Sequence, residues 1–358
     1  MTANVAKRHH TVPQFYLRGF SYDDQIGTVL LPGDRRFKQS IRKAASENGF
    51  YTVEGHSGGP DAIEKLMSKV EGAAAAVFDK IENGAWPLDQ EDRDCLALFI
   101  TLQAVRGPDQ RRNLEAVAAQ IARLEIGYGG RDNVATWVKS RYGVDISDEQ
   151  ADVVWAQATQ PGGPPIRLAP EAHVEQMGAL VDELFPYVAG RPWTLVRFAR
   201  RSLLTCDVPV GLIAHPDDDK GSGVGFMTAW GITFALTRRI GLLMSDPTPV
   251  IAAGADVMLT RAGKVDHELP GTVRLQQLFN DRTILSAGQW VYHHPDDEDV
   301  VPAELPEPNL VTMRMSGAED QFSGEPGFAP GSAGNADSPA ASAENQAPHQ
   351  RPDSVPRP

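Results

Sequence analysis

The sequence predicts an α+β fold, in which a helical centre packs with a small, mostly antiparallel sheet formed by the N-terminal and C-terminal parts. Apolar residues recur every three or four positions through the middle of the chain, and this period is typical of helices. Short alternating or apolar runs lie towards both ends and indicate strands. Strands, then helices, then strands favour α+β over a doubly wound parallel sheet.

The N-terminal part predicts one short helix and three strands. Gln14–Phe20 forms the helical turn, and Phe50–Val53 is a short strand. Thr28–Leu31 and Arg36–Ile41 are extended runs on either side of Pro32-Gly33-Asp34. Because Pro, Gly and Asp favour turns, these two runs are expected to be neighbouring strands.

The centre predicts amphipathic helices with recognisable ends. Gly107-Pro108 ends one helix, and Ser147 with Gln150 has the spacing of a capping box that opens another. The predicted helices cover Pro60–Asn83, Asp89–Arg106, Asp109–Leu124, Ser147–Trp155 and Pro170–Val188.

After Gly190 the pattern changes to short strands, which we expect to belong to one small sheet. They are Thr194–Phe198, Ser202–Cys206, Ile232–Thr237 and Ile240–Met244, with a hairpin between the last two. A helix over Leu275–Ser286 and a strand over Gln289–Tyr292 close this part of the chain.

The predicted organisation is a single α+β domain over residues 1–300, followed by a disordered acidic tail over residues 301–358. Pro, Gly, Ser, Ala and acidic residues dominate the tail, and no apolar period continues into it. Such a segment buries too little apolar surface to offset the entropy of ordering it.

Charge and composition exclude several classes of protein. The net charge is −13, which disfavours nucleic acid in general, although eight Lys or Arg against three Asp make residues 1–43 locally basic. That basic region is either a contact for phosphate or a solvated face. No apolar run is long enough to span a membrane, and Cys95 and Cys206 form neither a disulfide framework nor a zinc site. We therefore expect a cytoplasmic protein.

The sequence matches two kinds of functional motif only weakly. Gly55–Gly59 matches the G-x-S-x-G nucleophile elbow, but too few residues precede it for the usual sheet, and a glycine-rich loop is the competing interpretation. His9-His10, His293-His294 and Asp296–Asp299 lack the spacing of metal ligands. The sequence therefore predicts no metal site and identifies no cofactor, and the oligomeric state is unknown.

Gln103 and Arg106 lie three residues apart at the end of an apolar helix, so they share a face, and Arg111 and Arg112 follow. A buried Arg needs a carboxylate or phosphate partner. This pattern predicts either an internal ion pair, for example to Asp207 or Glu64, or a corner that binds an anion.

Asp207 follows an apolar strand directly before a turn limited by Pro209. It is either a reactive carboxylate held rigidly at a strand end or a turn residue that bonds backbone N–H groups. In the N-terminal run, His9, His10 and Arg18 flank aromatic residues that should be buried. The imidazoles are either structural hydrogen-bonding groups or acid–base groups near neutral pH.

The opening run also carries a family resemblance. His9 to Phe20 reads H-H-x-V-P-x-x-Y-L-R-x-F, which resembles the bacterial "domain of unknown function 4238" family. Further likenesses extend the resemblance over residues 7–294, with Cys206 where the family usually has Ser. They are Phe50-Tyr51-Thr52, Gln103 with Arg106, Thr205–Val210, the strand pair Ile232–Thr237 and Ile240–Met244, Asn280, and Trp290-Val291-Tyr292. The resemblance brings no known activity, and Cys206 argues against a Ser nucleophile at that position.

The candidate site combines the family-like polar residues, which one shared cleft would explain. His10 and Asp207 are the candidate catalytic residues, and the candidate substrate-binding residues are Arg18, Gln103, Arg106 and Asn280. One hypothesis is an enzyme acting on a phosphate-bearing substrate, nucleic acid or nucleotide, in a defence or toxin role. The other is a non-catalytic binding or interaction module in which the same residues form a structural network.

Overall fold

The computed structural model describes residues 8–48, 62–217, 223–254 and 256–310. The predicted strand Phe50–Val53, the Gly55–Gly59 motif and the predicted tail from residue 311 onward lie outside these residues. None of the helices in the described part is long and apolar enough to cross a membrane.

The helices that the sequence predicts are present in the expected order, and the described chain contains three more, α5, α8 and α9. They are α1 Gln14–Arg18, α2 Ala62–Glu82, α3 Gln90–Val105, α4 Pro108–Gly129, α5 Val134–Tyr142, α6 Asp148–Thr159, α7 Pro170–Ala189, α8 Thr248–Ala252, α9 Val257–Arg261 and α10 Val273–Ser286. The strands are β1 Arg8–His10, β2 Gln25–Leu30, β3 Arg35–Ser40, β4 Ser46–Asn48, β5 Trp193–Arg197, β6 Thr205–Cys206, β7 Val210–Ile213, β8 Gly231–Thr237, β9 Ile240–Ser245, β10 His267–Pro270 and β11 Trp290–His293.

The strands form three sheets. Five strands in the order β10-β5-β9-β8-β7 make the largest, β3-β2-β11-β6 make a four-stranded sheet, and β1 pairs with β4 in a ribbon. Only the β10–β5 pairing is parallel among the described strand pairs. The α+β class is confirmed, as is an antiparallel sheet shared by both ends of the chain.

The strands after Gly190 do not form the one sheet that we expected. Strand β6 leaves the five-stranded sheet and joins β11 in the other. The predicted strand Ser202–Cys206 is also shorter, because backbone N–H groups before β6 have other acceptors. Leu203 donates to the carbonyl of Arg238, and Leu204 donates to the side chain of Asn280.

Helix ends agree with the local signals where capping groups are present. The Asp89 side chain accepts from the backbone N–H of Asp92 at the start of α3. Ser147 and Gln150 form the predicted capping box at the start of α6. Helix α4 continues beyond Leu124, because Ile126 is buried in a small core with residues of α5 and α6.

Four apolar cores occur in the described chain, and two of them flank the four-stranded sheet. In the larger core, Tyr16 of α1 packs against Phe78, Phe99 and Phe234, with ring centroids 5.2–6.4 Å apart. The smaller core lies between this sheet and α10, where it buries residues such as Val29, Cys206, Val291 and Ile284. Val301 and Leu305 belong to the same core, so packed chain continues past residue 300.

The opposite face of the four-stranded sheet carries two cross-strand rows. Arg35, Leu30 and Trp290 form one row, and Phe37, Thr28 and Tyr292 form the next. Alternation along a strand puts these side chains on the face away from the smaller core.

Candidate functional site

A cavity of about 190 Å³ lies between that sheet face, strand β4 and the first turns of α4. Its walls combine aromatic rings, cations and carboxylates, namely Phe37, Trp290, Tyr292, Lys43, Arg112, Glu47 and Asp207. We call it the Asp207 cavity. Such a mixture of stacking surface and convergent charged groups is typical of sites for small polar ligands.

Asp207 directly follows β6, and its carboxylate holds the segment that leads into β11. Oδ1 accepts from the N–H of Gly288 at 2.9 Å, and Oδ2 accepts from those of Gln289 at 2.9 Å and Trp290 at 3.2 Å. The side chain therefore does bond backbone N–H groups, but these lie 81–83 residues away in sequence rather than in its own turn.

The pKa of Asp207 is nevertheless raised to about 7. Burial is the largest cause, since it penalises the ionised form, and the negative charge of Asp109 is the second. The three backbone donors act in the opposite direction but do not cancel these effects. Asp207 can therefore hold or release a proton near neutral pH, as acid–base chemistry requires.

Asp109 is a second buried carboxylate beside this cavity, in the first turn of α4. It is 6% exposed, and its Oδ1 has no hydrogen-bond partner in the described structure. Burial raises its pKa to about 6, against the opposing effects of the Gln110 backbone and the charge of Arg112. The negative charge of Asp109 in turn disfavours ionisation of Asp207.

Two cations, Lys43 and Arg112, line the same cavity. Arg112 Nε donates to the carbonyl oxygen of Leu310 at 2.8 Å, which brings the C-terminal segment to this region. Burial also raises the pKa of Glu47, although the charges of Arg112 and Arg111 oppose the shift. Because the raised pKa of Asp207 reduces its negative charge and two cations line the walls, the cavity can accept an anion.

His10 and Arg106 line a different cavity, of about 380 Å³, which we call the His10 cavity. The Gln14 amide donates to His10 Nε2 at 3.0 Å. His9 Nε2 lies 3.6 Å from Glu64 Oε2. The carboxylates of Glu64 and Glu71 make this cavity more acidic than the first.

Arg106 in the wall of this cavity is 2% exposed, and its guanidinium makes contacts within the protein. Its Nη1 donates to Glu71 Oε1 at 2.8 Å, and its Nη2 donates to the carbonyl oxygen of His10 at 2.6 Å. The expected internal ion pair therefore exists with Glu71 of α2, not with Asp207 or Glu64. The ion pair joins the end of α3 to α2, and the hydrogen bond to the His10 carbonyl joins it to β1.

The remaining candidates lie elsewhere. Arg18 is exposed, 3.6 Å from Asp24, and lines a third cavity that also contains Asp79. Asn280 is buried and bonds backbone atoms, because its Oδ1 accepts from Leu204 and its Nδ2 donates to Ser202.

Gln103 is 2% exposed, and neither of its amide atoms has a hydrogen-bond partner in the described structure. The six candidates are therefore spread over several places rather than gathered in one cleft. The Asp207 and His10 cavities are nevertheless adjacent, because β1 lines the His10 cavity and its partner strand β4 lines the Asp207 cavity.

Sequence reasoning missed Asp109 and connected Arg112 with Arg106 instead of with Asp207. The available signal was Gly107-Pro108-Asp109, a helix start that places a carboxylate and Arg112 three residues apart on one face. No group of three or more His, Cys, Asp or Glu side chains in the described part could hold a metal ion.

A comparison with protein families relates the chain to known sequences. The family model described as "Protein of unknown function (DUF4238)" matches residues 8–297, which include His10, Arg106, Asp109 and Asp207. Searches of curated proteins and of solved structures gave no match. The match spans most of the sequence and confirms the resemblance inferred from it. The chain therefore belongs to the DUF4238 family.

Proposed function

We propose that the protein is an enzyme that acts on a phosphate-bearing substrate, a nucleotide or nucleic acid, in the Asp207 cavity. The observation that carries the proposal is the joint presence there of Asp207, two cations and the partly exposed rings of Phe37 and Trp290. Cations bind phosphate, aromatic rings stack on bases, and a carboxyl group that titrates near neutral pH supplies acid–base chemistry.

The proposed reaction is hydrolysis of a phosphate ester. The oxygen of a water molecule bonds to phosphorus while the bond from phosphorus to the ester oxygen breaks. Asp207 in its protonated form donates its proton to the departing oxygen, and the proton of the water passes to solvent. Lys43 and Arg112 offset the negative charge of the phosphoryl oxygens. Asp109 keeps the pKa of Asp207 high, so that enough of the acid form is present near neutral pH.

The test is a turnover assay on adenosine monophosphates and on single-stranded and double-stranded oligonucleotides. We expect wild type to hydrolyse at least one of them and Asp207→Asn to lose about 10²–10⁴-fold in rate. Asp299→Asn is the matched control, because Asp299 is exposed and lies outside the cavity. The rate should fall as pH rises above about 7, where Asp207 loses its proton.

Because Asp207 also holds backbone N–H groups, melting curves must show that Asp207→Asn is folded. Arg112→Gln is a second variant that should raise KM more than it lowers kcat, since Arg112 is proposed to bind rather than to transfer a proton. An Asp207→Asn protein that is folded and fully active would refute the assignment.

A non-catalytic interaction module is the second candidate, and one observation favours it. Asp207, Asn280 and Arg106 each bond the backbone of a distant segment, as a structural network would. In that case Arg106→Ala and Asp207→Ala should lose about 2–5 kcal/mol of unfolding free energy, and no substrate should be turned over. A cytoplasmic location and a role in defence or as a toxin remain predictions from the sequence.

A further inference from the structure

We infer that the sheet face beside the Asp207 cavity binds an unpaired base, so that the substrate is a single-stranded nucleic acid rather than a free nucleotide. The inference rests on the proposed function and names its substrate class. It is carried by the cross-strand rows of the four-stranded sheet, by the charges on strand β3 and by the position of both relative to the cavity.

The aromatic rings form a continuous surface on this face. Phe37 and Trp290 both line the cavity, and their rings contact each other edge to face, with centroids 6.2 Å apart. Both side chains are only partly buried. A base can stack on a partly exposed ring of this kind, and such stacking tolerates different base sequences because every base has a π-face.

A cation, Arg35, lies next to this aromatic surface and outside the cavity. Arg35 is exposed, shares a row with Leu30 and Trp290, and lies over the Phe37 ring at 5.6 Å from its centroid. It is not part of the cavity wall. A ligand confined to the cavity would therefore make no direct contact with Arg35. A neighbouring nucleotide of a strand would place a phosphate near it.

The charge of this region contrasts with that of the whole chain. The protein carries −13, yet Arg35, Arg36, Lys38, Arg42 and Lys43 lie within nine residues on β3 and the following turn. All five are exposed in the structure, but alternation along β3 puts Arg36 and Lys38 on the sheet face opposite Phe37. Arg35 on the face of Phe37 and Lys43 in the cavity wall are therefore the cations beside the aromatic rings. β3 is also an edge strand of its sheet. Cations at an edge, beside aromatic rings that face a cavity, fit a flexible polyanion whose bases are free to stack.

Alternative anionic ligands fit less well. A duplex hides its bases within the stack, so the aromatic rings would have no base face to contact. An acidic peptide would meet the cations but has no planar ring for Phe37 and Trp290. The aromatic surface therefore favours single-stranded nucleic acid.

The test measures fluorescence anisotropy with a labelled ten-nucleotide oligothymidylate and, by competition, with thymidine monophosphate. We expect the oligonucleotide to bind wild type more tightly than the monophosphate. Arg35→Gln should weaken only the oligonucleotide, by about threefold to tenfold, and should reduce the salt dependence of its binding. Phe37→Leu keeps an apolar side chain but removes the ring, and it should weaken the oligonucleotide by about tenfold. Arg200→Gln, a change at an exposed Arg elsewhere, is the matched control.

The outcomes separate this inference from the proposed function. Equal binding of oligonucleotide and monophosphate, unchanged in Arg35→Gln, would overturn the inference and leave the cavity function standing. Loss of both ligands in Arg112→Gln, with loss of the oligonucleotide alone in Arg35→Gln, supports both. Equal competition by polyglutamate, or by a duplex of the same length, would show attraction by charge alone and overturn the inference.

Discussion

Asp207 illustrates how one side chain can hold the backbone and still titrate near neutral pH. Three N–H groups stabilise its ionised form, whereas burial and the charge of Asp109 destabilise it. The net result is a raised pKa, because the desolvation and the second carboxylate outweigh the three hydrogen bonds. A carboxylate that served only to fasten the loop would gain nothing from a buried acidic neighbour.

Asp109→Asn should change the dependence of stability on pH. The folded pKa is raised from 3.8 to about 6, so the stability contributed by Asp109 is complete below pH 3.8 and is lost as pH rises through about 6. Asparagine does not ionise, so the variant should unfold with a free energy up to about 3 kcal/mol above that of wild type at pH 8, and with no such advantage at pH 4.

Chemical denaturation at both pH values measures this difference. Asp299→Asn, at an exposed carboxylate, should follow wild type throughout. A constant difference between Asp109→Asn and wild type from pH 4 to pH 8 would contradict the raised pKa.

The buried polar residues could be predicted from the sequence more readily than the groups to which they bond. Arg106 stood out because a charged residue at the end of an apolar helix must be paired when it is buried. Its partner Glu71 lies 35 residues away on another helix, and nothing in local spacing distinguishes it from Glu64. Likewise, the sequence placed Asp207 at a strand end. The N–H groups that it binds begin 81 residues later in the chain, so local spacing does not reveal them.

At the scale of elements, close packing across the β2–β11 pair leaves no room for a side chain at Gly27. A Cβ at this position would lie 2.1 Å from the ring of His293, its cross-strand neighbour. Gly27→Ala should therefore displace the ring or the strand and cost about 2–4 kcal/mol of unfolding free energy.

Gly178→Ala provides the matched control in helix α7. A Cβ there meets nothing within 4 Å, so alanine should stabilise the helix by about 0.5–1 kcal/mol. Thermal unfolding of both variants should give melting temperatures that move in opposite directions. A Gly27→Ala protein as stable as wild type would show that the β2–β11 packing is looser than described.

Elements with strong periodicity could be predicted, and short ones that depend on distant partners could not. Helices α2, α3 and α7 and the β8–β9 hairpin follow from their own sequences, because period, caps and turns are local. The ribbon of β1 and β4 joins three-residue strands, and β10 is exposed along its length. Such strands exist only because another strand lies alongside, so no local signal marks them.

At the scale of the whole molecule, the extent of the packed chain can be tested by two truncations. Ending the chain after residue 310 removes six acidic residues and three Arg but none of the described contacts. The melting temperature should therefore stay within about 2 °C of wild type. Anion binding should strengthen slightly, because the truncation removes a net charge of −3 and so reduces the overall repulsion of anions.

Ending the chain after residue 300 should have a different effect. It removes the buried Val301 and the partly buried Leu305 from the smaller core, which should cost about 2–4 kcal/mol of unfolding free energy. A single cooperative transition in the longer protein is expected if residues 1–300 form one domain, as we predict. Two separate transitions, or equal stability of the two truncated proteins, would contradict this view.

The central claim is that the Asp207 cavity binds a phosphate-bearing ligand, and calorimetric titration with adenosine 5′-monophosphate tests it most directly. Wild type and Arg200→Gln should bind with equal affinity, whereas Arg112→Gln should bind at least about tenfold more weakly, as expected for loss of a charge-assisted phosphate contact. Equal binding by all three proteins, or no binding by wild type at millimolar nucleotide, would contradict the claim.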